Sequence, residues 1–431
     1  MSIIEVDALE VLDSRGRPTV KAMLTLASGA RGSASVPAGA STGAAEAFEL
    51  RDGDPRRFRG MGCLKAVGHL RGEFADWALA EAPEDQATLD AGIRELDGTD
   101  GFARLGANAA LALSLAYARA RAGERGIPLW RYISELAGTK PAIPLPMINL
   151  FSGGKHAGGQ VELQDVQVMP LQAGSTSKVL ATVFDVFTAA AELVHRRYGM
   201  RMLRADEGGL APPFSDAAEM LQCAVDAISR SGRQGVALTV DVAASHFWNA
   251  GTYQIDGTEL DSAGVIDLIS GWIDRFPIVS IEDGLAEEDW DGWPQLRTVL
   301  NGRAMTLGDD LLCTNVARIN RAVAARAADA LLLKANQVGT LTDALAAFQA
   351  ARAAGWRIVV SARSGETEDD WLADLAVGLG ADHIKIGSIT QSERLAKYNR
   401  LVEIEHLWKL PSPLPVVRGD DAGRSGSSWC D

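Results

Sequence analysis

Hydrophobic and polar positions change their rhythm near residue 140. Before it, VKAMLTLAS (residues 20 to 28) alternates apolar and polar positions as a half-buried strand does. LGANAALALSLAYARARAGERG (residues 105 to 126) is rich in alanine and leucine and ends in arginines and Gly126, which predicts a helix with a C-terminal stop. IPLWRYISELAG continues in helical style. KPAIPLPMIN (residues 140 to 149) then carries three prolines and reads as a connector between domains.

Beyond the connector, apolar runs recur, each closed by a polar residue and followed by an amphipathic stretch: VALTVDVAAS, PIVSIEDG, AMTLGDDL, ADALLLKANQVG, WRIVVSARSG and ADHIKIGS. The residues at their ends are Asp241, Glu282, Asp309, Lys334, Ser361 and Lys385. Their separations of 41, 27, 25, 27 and 24 lie near the roughly 30 residues of one strand–helix–strand unit. The segment from about 140 to 410 approaches the roughly 250 residues of a β/α barrel, in which chemistry sits at the C-terminal ends of strands. A doubly wound open sheet is the structural alternative. The predicted class is therefore α/β. A first part of strands and helices spans residues 1–138, and a TIM-like barrel spans 139–410. A Pro-, Gly- and Ser-rich tail over 411–431 is expected to be flexible.

Composition narrows the function. A chain of 431 residues suits two or three domains, or one large barrel with an attachment. The formal charge of −14 leaves no basic surplus to neutralise phosphates, so nucleic acid and anionic membrane are not expected partners. Cys63, Cys223, Cys313 and Cys430 are far apart and form no CxxC pair, which fits free thiols in a reducing compartment. The opening MSIIEVDALEVLDSRG has no basic segment followed by a long apolar one, and a cytoplasmic location is expected.

Three carboxylates on successive strand ends, Asp241, Glu282 and Asp309, would point at one spot above a barrel. Hard oxygen ligands without cysteine or histidine suit Mg²⁺, although a single strand-end acid can simply cap the next helix. Lys334 and Lys385 end apolar strands, where a lysine needs partners or loses its proton. Beside Mg²⁺ and a second lysine, its pKa is expected to fall, which would make a usable general base. Arg363, Ser364 and the Gly365 backbone offer a fork of donors, a hydroxyl and NH groups suited to a phosphate or carboxylate. SVPAGASTG (35 to 43) and FSGGKHAGG (151 to 159) have the look of site loops, the second carrying Lys155 and His156. RADEGGLAPP (204 to 213) sets Asp206 and Glu207 beside glycines, as a possible general acid.

Together with VLDSRGRPTV, GASTGAAEAFELRDGD and SERLAKYNRLVEIE, these motifs span nearly the whole chain in order and resemble the enolases. The resemblance implies an α+β N-terminal domain capping the barrel, a homodimer, and two Mg²⁺ ions, the second substrate-dependent. Asp241, Glu282 and Asp309 would hold the first ion and Ser41 the second. Lys334 looks like the base that takes the proton α to a carboxylate, and Glu207 like the acid that protonates the departing β-hydroxyl. A lysine base with Mg²⁺ is a known device of this superfamily. Lys385 would contact the substrate carboxylate, Arg363 and Ser364 its phosphate, and His156 would close over it from its loop.

Departures from the family cluster at the same places. Ala362 stands where enolases have histidine, and Asp165, beside Gln164, where they have a catalytic glutamate. Lys155 replaces a serine, Gly284 a proline and His246 a glutamate. Ala362 and Asp165 are expected to enlarge the pocket, and Lys155 to add a cation suited to an extra acid group. Ala362, Lys155 and Gln164 thus join the expected substrate contacts, and the substrate is expected to be a small anion containing phosphorus. The reading that follows is an enolase-like, Mg²⁺-dependent enzyme of phosphonate or phosphinate natural-product biosynthesis. It would form an enolpyruvate of the carboxyphosphonoenolpyruvate type from 2-phosphoglycerate and a phosphonate co-substrate. An ordinary enolase and a catalytically weak homologue with a binding role are the alternatives.

Overall fold

The computed structural model describes residues 2–40, 43–171, 174–199 and 203–411. Ser41 and all of the C-terminal tail after Pro411 lie outside them. The chain opens with an antiparallel sheet, β1 (Ile3–Leu12), β2 (Pro18–Leu26) and β3 (Arg31–Ser35), paired in that order. The expected helix is Ala107–Glu124. It lies against β2 and β3 and is buried on nearly every side, which its alanine-rich sequence permits. Gly32 marks the closest approach: a Cβ there would fall 1.9 Å from the Ala116 carbonyl oxygen.

The rest closes into an eight-stranded barrel. Its members are β4 (Leu145–Ser152), β5 (Asp165–Pro170) and β6 (Val236–Asp241), then, after a small sheet of β7 (Trp248–Asn249), β8 (Thr252–Ile255) and β9 (Thr258–Leu260), β10 (Ile278–Glu282), β11 (Met305–Gly308), β12 (Ala330–Leu333), β13 (Arg357–Ser361) and β14 (His383–Gly387). The ring runs β10-β11-β12-β13-β14-β4-β5-β6. All neighbours are parallel except β5, which is antiparallel to both β4 and β6.

Two features differ from the sequence expectation. The proline-rich stretch taken as a connector contributes the first barrel strand: Pro146 sits inside β4, opposite Ile384 of β14. β5 reverses over a link from β4 that holds only the short helix Gly154–Ala157, in place of the full helix that usually makes a parallel crossover. The reversal puts the first residue of β5, Asp165, at the same barrel end as the last residues of the other strands. There it pairs with Ser152 on one side and Asp241 on the other.

The N-terminal domain seals this end. Ala38 and Gly365 exchange backbone hydrogen bonds of 2.8 and 2.9 Å, and Ala47 N–H donates to the Gln337 carbonyl at 2.8 Å. Cys63, Cys223 and Cys313 are buried and unbridged. Among the described residues no helix is long and apolar enough to cross a membrane.

Candidate active site

Asp241, Glu282 and Asp309 end or directly follow the adjacent strands β6, β10 and β11, and their side chains are nearly buried. Lys334 follows β12 and Lys385 lies in β14. The lysines occupy the carboxylates. Lys385 Nζ donates to Asp241 Oδ2 at 2.7 Å and to both Glu282 oxygens at 2.8 Å, and Lys334 Nζ donates to Asp309 Oδ2. Burial works against both ammonium charges, but Asp241 and Glu282 raise the Lys385 pKa well above its usual value, and Asp309 raises that of Lys334. The lowering expected for Lys334 presupposes a neighbouring Mg²⁺; with Asp309 as its nearest partner its pKa is raised instead. Asp241 is held low by Lys385 against the cost of burial, whereas burial and the Asp241 charge push Glu282 well up.

The Arg363 guanidinium forks onto Glu46, at 2.9 and 3.1 Å, and reaches Asn336 Oδ1 at 3.0 Å. Ser364 Oγ accepts from Arg15 at 3.1 Å, and Arg15 in turn holds Asp13. Both residues expected to grip an anion are thus engaged by the N-terminal domain. The backbone turn that presents them is pinned by buried Arg394, which donates to the carbonyls of Arg363 and Ser364 at 2.7 and 2.6 Å. Glu46, Arg15, Asn336 and Arg394 were not singled out beforehand. The DSRG, GASTGAAE and SERLAKYNR stretches that contain three of them were the available signal.

On the other wall, Asp165 is fully buried and completely bonded. Its Oδ1 accepts from Asn149 Nδ2 at 2.9 Å and Ser152 Oγ at 2.6 Å, while Oδ2 meets His156 Nδ1 at 2.8 Å. Glu207 lies on the loop after the helix Thr176–Tyr198, and its Oε2 accepts from Asn149 at 3.0 Å. Gly208 allows this turn: its φ is +84°, and a Cβ would meet Thr390 Oγ1 at 2.7 Å. Gln164 donates to Asp241 Oδ2 at 3.1 Å, and its own Oε1 is buried without a hydrogen-bond partner.

Burial opposes a charge on His156, yet Asp165 and Glu207 outweigh it and raise its pKa to about 9. Burial pushes the Asp165 carboxyl up. Glu207 is lowered in spite of burial, chiefly by His156 and Arg394. Backbone strain gathers nearby: Ala243 and Asp283, just past the β6 and β10 ends, sit at φ of +49° and +42°. Asp283 accepts the backbone N–H groups of Asp309 and Asp310 at 2.8 and 2.7 Å, which fixes the turn after β11.

His156, Gln164, Glu207, Lys334, Ala362 and Lys385 all line one cavity. Its volume is about 30 Å³, room for about one water molecule, so the enlargement expected from Ala362 and Asp165 is not an open space in this structure. The charged side chains fold inward and fill it. Lys155 lies outside the lining, exposed on its short helix, and its charge adds to burial in lowering the His246 pKa to about 4. Two of the departures thus act on one another electrostatically. A larger cavity of about 630 Å³, between the N-terminal sheet and residues 366–370, contains none of the strand-end carboxylates or lysines.

Fold and site together define a β/α-barrel enzyme with an N-terminal cap and a mouth built from carboxylates and lysines. Two family models match the chain: the enolase N-terminal domain over residues 3–133 and the enolase C-terminal TIM barrel domain over residues 140–410. The chain belongs to the enolase family.

The site has the donor chemistry for Mg²⁺. A cation already stands among its hard oxygens, since the Lys385 ammonium lies within 2.8 Å of Asp241 and Glu282. A second group, Asp283, Asp309 and Asp310, brings one carboxylate oxygen each within 4.8 Å of the others. The residues present fit a divalent metal.

Proposed function

We propose that this chain is a Mg²⁺-dependent carbon–oxygen lyase that removes the proton α to the carboxylate of a 2-O-phosphorylated glycerate and expels its β-hydroxyl as water. One observation carries the reading: Asp241, Asp309, Lys334 and Lys385 line one cavity with His156 and Glu207, with Glu282 bound to Lys385 and Asp165 bound to His156 just behind them. Asp241, Glu282 and Asp309 would hold the metal, with Ser41 a ligand to a second ion. When bound, the metal supplies positive charge that stabilises the doubly charged carboxylate of the enolate. Lys334 takes the C2 proton once it is released from Asp309. Lys385, released from its own carboxylates, holds the substrate carboxylate. Arg363 and Ser364 bind the phosphorus group once Glu46 gives way.

The substrate we favour carries a larger phosphorus group, of the kind needed to make a carboxyphosphonoenolpyruvate-type product with a phosphonate co-substrate. Support comes from alanine at 362 and from the cation Lys155 on the loop beside His156, which alter the surroundings of the anion while leaving the carboxylates and Lys334 in place. Ordinary enolase activity is the second reading, and the cavity of only about 30 Å³ favours it. Exposed Ile4, Leu9 and Leu12 along the edge strand β1 suit coverage by a second copy, in keeping with a homodimer.

The test is turnover of 2-phosphoglycerate with Mg²⁺, with and without phosphonoformate, followed by ³¹P NMR. A product retaining the carbon–phosphorus bond, with little phosphoenolpyruvate from 2-phosphoglycerate alone, supports the first reading. Phosphoenolpyruvate formed at about 10 s⁻¹ or faster, an ordinary enzyme rate, establishes the second.

A further inference from the structure

A polar side chain sits inside each of three adjacent barrel strands: Asn149 in β4, Gln167 in β5 and Thr239 in β6. All three are fully buried, and the chemistry described so far gives none of them a part. They stand side by side, because Asn149 pairs in register with Gln167, and Gln167 with Thr239. A buried polar group is costly unless it is hydrogen-bonded, and here the bonds lead somewhere.

The row is a one-way chain of donors. Thr239 Oγ1 donates to Gln167 Oε1 at 2.6 Å, and Gln167 Nε2 donates to Asn149 Oδ1 at 3.3 Å. Asn149 Nδ2 then donates to Asp165 Oδ1 at 2.9 Å and to Glu207 Oε2 at 3.0 Å. The direction follows from the far end. Only the NH₂ of Asn149 can face two carboxyl oxygens, and its two hydrogens are then used, one on each. Its oxygen faces Gln167, which must answer with its own NH₂, and the Gln167 oxygen is left for the Thr239 hydroxyl. Turning either amide over would set oxygen against oxygen.

Asn149 also closes a circuit. Asp165 and Glu207 each give one oxygen to Asn149 and turn the other toward the His156 ring. Asp165 Oδ2 lies 2.8 Å from Nδ1, and Glu207 Oε1 lies 4.0 Å from Nε2. Three edges of the circuit are hydrogen bonds, and the fourth, between Glu207 and His156, is open. Glu207 and His156 line the cavity, whereas Asn149, Gln167 and Thr239 do not. The side chain that the resemblance assigns to the departing β-hydroxyl is thus tied into the barrel wall through one oxygen and free at the other.

We propose that Asn149 is a positioning residue for expulsion of the hydroxyl, and that Gln167 and Thr239 hold its amide in the orientation that serves. This rests on the elimination reading above. Asn149 acts through Glu207 and Asp165, which it holds together with one hydrogen each. Without it Glu207 is free to turn, and a misplacement of about an ångström can cost about 10²-fold in rate. The C2 side of the substrate is assigned to Lys334, which follows β12, four places from β5 in the ring of eight strands. Exchange of the C2 proton should therefore be spared.

The experiment compares wild type, Asn149→Leu, Thr239→Val and Thr239→Ser on 2-phosphoglycerate in D₂O with Mg²⁺, with and without phosphonoformate. C2 deuterium exchange is read by ¹H NMR and enolpyruvate formation by ³¹P NMR, each resolved into kcat and KM. Asn149→Leu should lower product formation by about 10-fold or more, while exchange and KM stay within about threefold of wild type. Thr239→Val keeps the side-chain shape but removes the hydroxyl that starts the chain. It should lower the ratio of product to exchange in the same direction by a smaller factor, and Thr239→Ser should restore it. A merely structural role would lower both rates together and would not tell valine from serine. Asn149→Leu with the wild-type ratio, or with equal loss of both rates in a folded protein, overturns the proposal. If Asn149→Leu does not fold, the Thr239 pair decides, and a wild-type ratio in Thr239→Val overturns it. Absence of C2 exchange in the wild type counts instead against the elimination reading.

Discussion

Replacing Lys385 by methionine tests the electrostatics of the site without reference to turnover. The ammonium lies 2.7 Å from Asp241 and 2.8 Å from Glu282, and all three side chains are at most 6% exposed. Removing one partner of such a buried pair costs roughly 3–5 kcal/mol, because the other charge is left uncompensated. Here two carboxylates lose their cation. Protonation of Glu282, whose pKa is already well raised, relieves part of the penalty and moves the expected cost toward the lower end, about 3 kcal/mol. A divalent ion held by the same oxygens replaces the missing charge. A ligand at a hundred times its Kd adds about 2.7 kcal/mol to the folded state, so Mg²⁺ should recover most of the loss. The assay is urea unfolding of wild type and Lys385→Met, in EDTA and in saturating Mg²⁺. In EDTA the variant midpoint should drop clearly, and Mg²⁺ should raise it far more than it raises the wild type. Equal midpoints in EDTA, or a drop that Mg²⁺ leaves untouched, would refute the reasoning.

Three further outcomes are expected. Folded His156 has its pKa raised from 6.5 to about 9, so its contribution of roughly 3 kcal/mol is fully present below about pH 6.5 and lost as pH rises through about 9. Unfolding midpoints should fall across that window in the wild type and much less in His156→Gln. Asp241→Ala, Glu282→Ala and Asp309→Ala should each abolish Mg²⁺-dependent turnover while circular dichroism reports a folded barrel; undiminished activity in any of them removes that residue from the metal site. Ala362→His with Asp165→Glu should raise phosphoenolpyruvate formation from 2-phosphoglycerate and lower use of a phosphonate co-substrate. It should also cost about 1–3 kcal/mol of stability, since both enlarged side chains enter filled space, and unchanged product ratios would detach these positions from specificity.

The parallel strands from β6 onward were legible because each is an apolar run ended by one charged or polar residue. β4 was hidden by Pro144 and Pro146, which read locally as a linker although Pro146 belongs to a barrel strand. β5 reverses over a glycine-rich link, which sequence pattern showed only as a loop. Residue types at the site were legible, but their partners were not. Arg363 pairs with Glu46, 317 positions away, and Ser364 with Arg15, 349 positions away. Asp165 read as a shortened catalytic acid; its contacts with Asn149, Ser152 and His156 depend on the reversed β5 and were not legible.

Exchange of the C2 proton of 2-phosphoglycerate with D₂O is the most direct measure of the chemistry assigned to this barrel mouth. It reports proton removal whether or not the hydroxyl then leaves, and whichever phosphorus group is the natural one. With Mg²⁺ the wild type should exchange that proton, and both chelation and Lys334→Ala should stop it. A wild-type protein that exchanges nothing, or a Lys334→Ala variant that exchanges as fast as the wild type, would contradict the assignment.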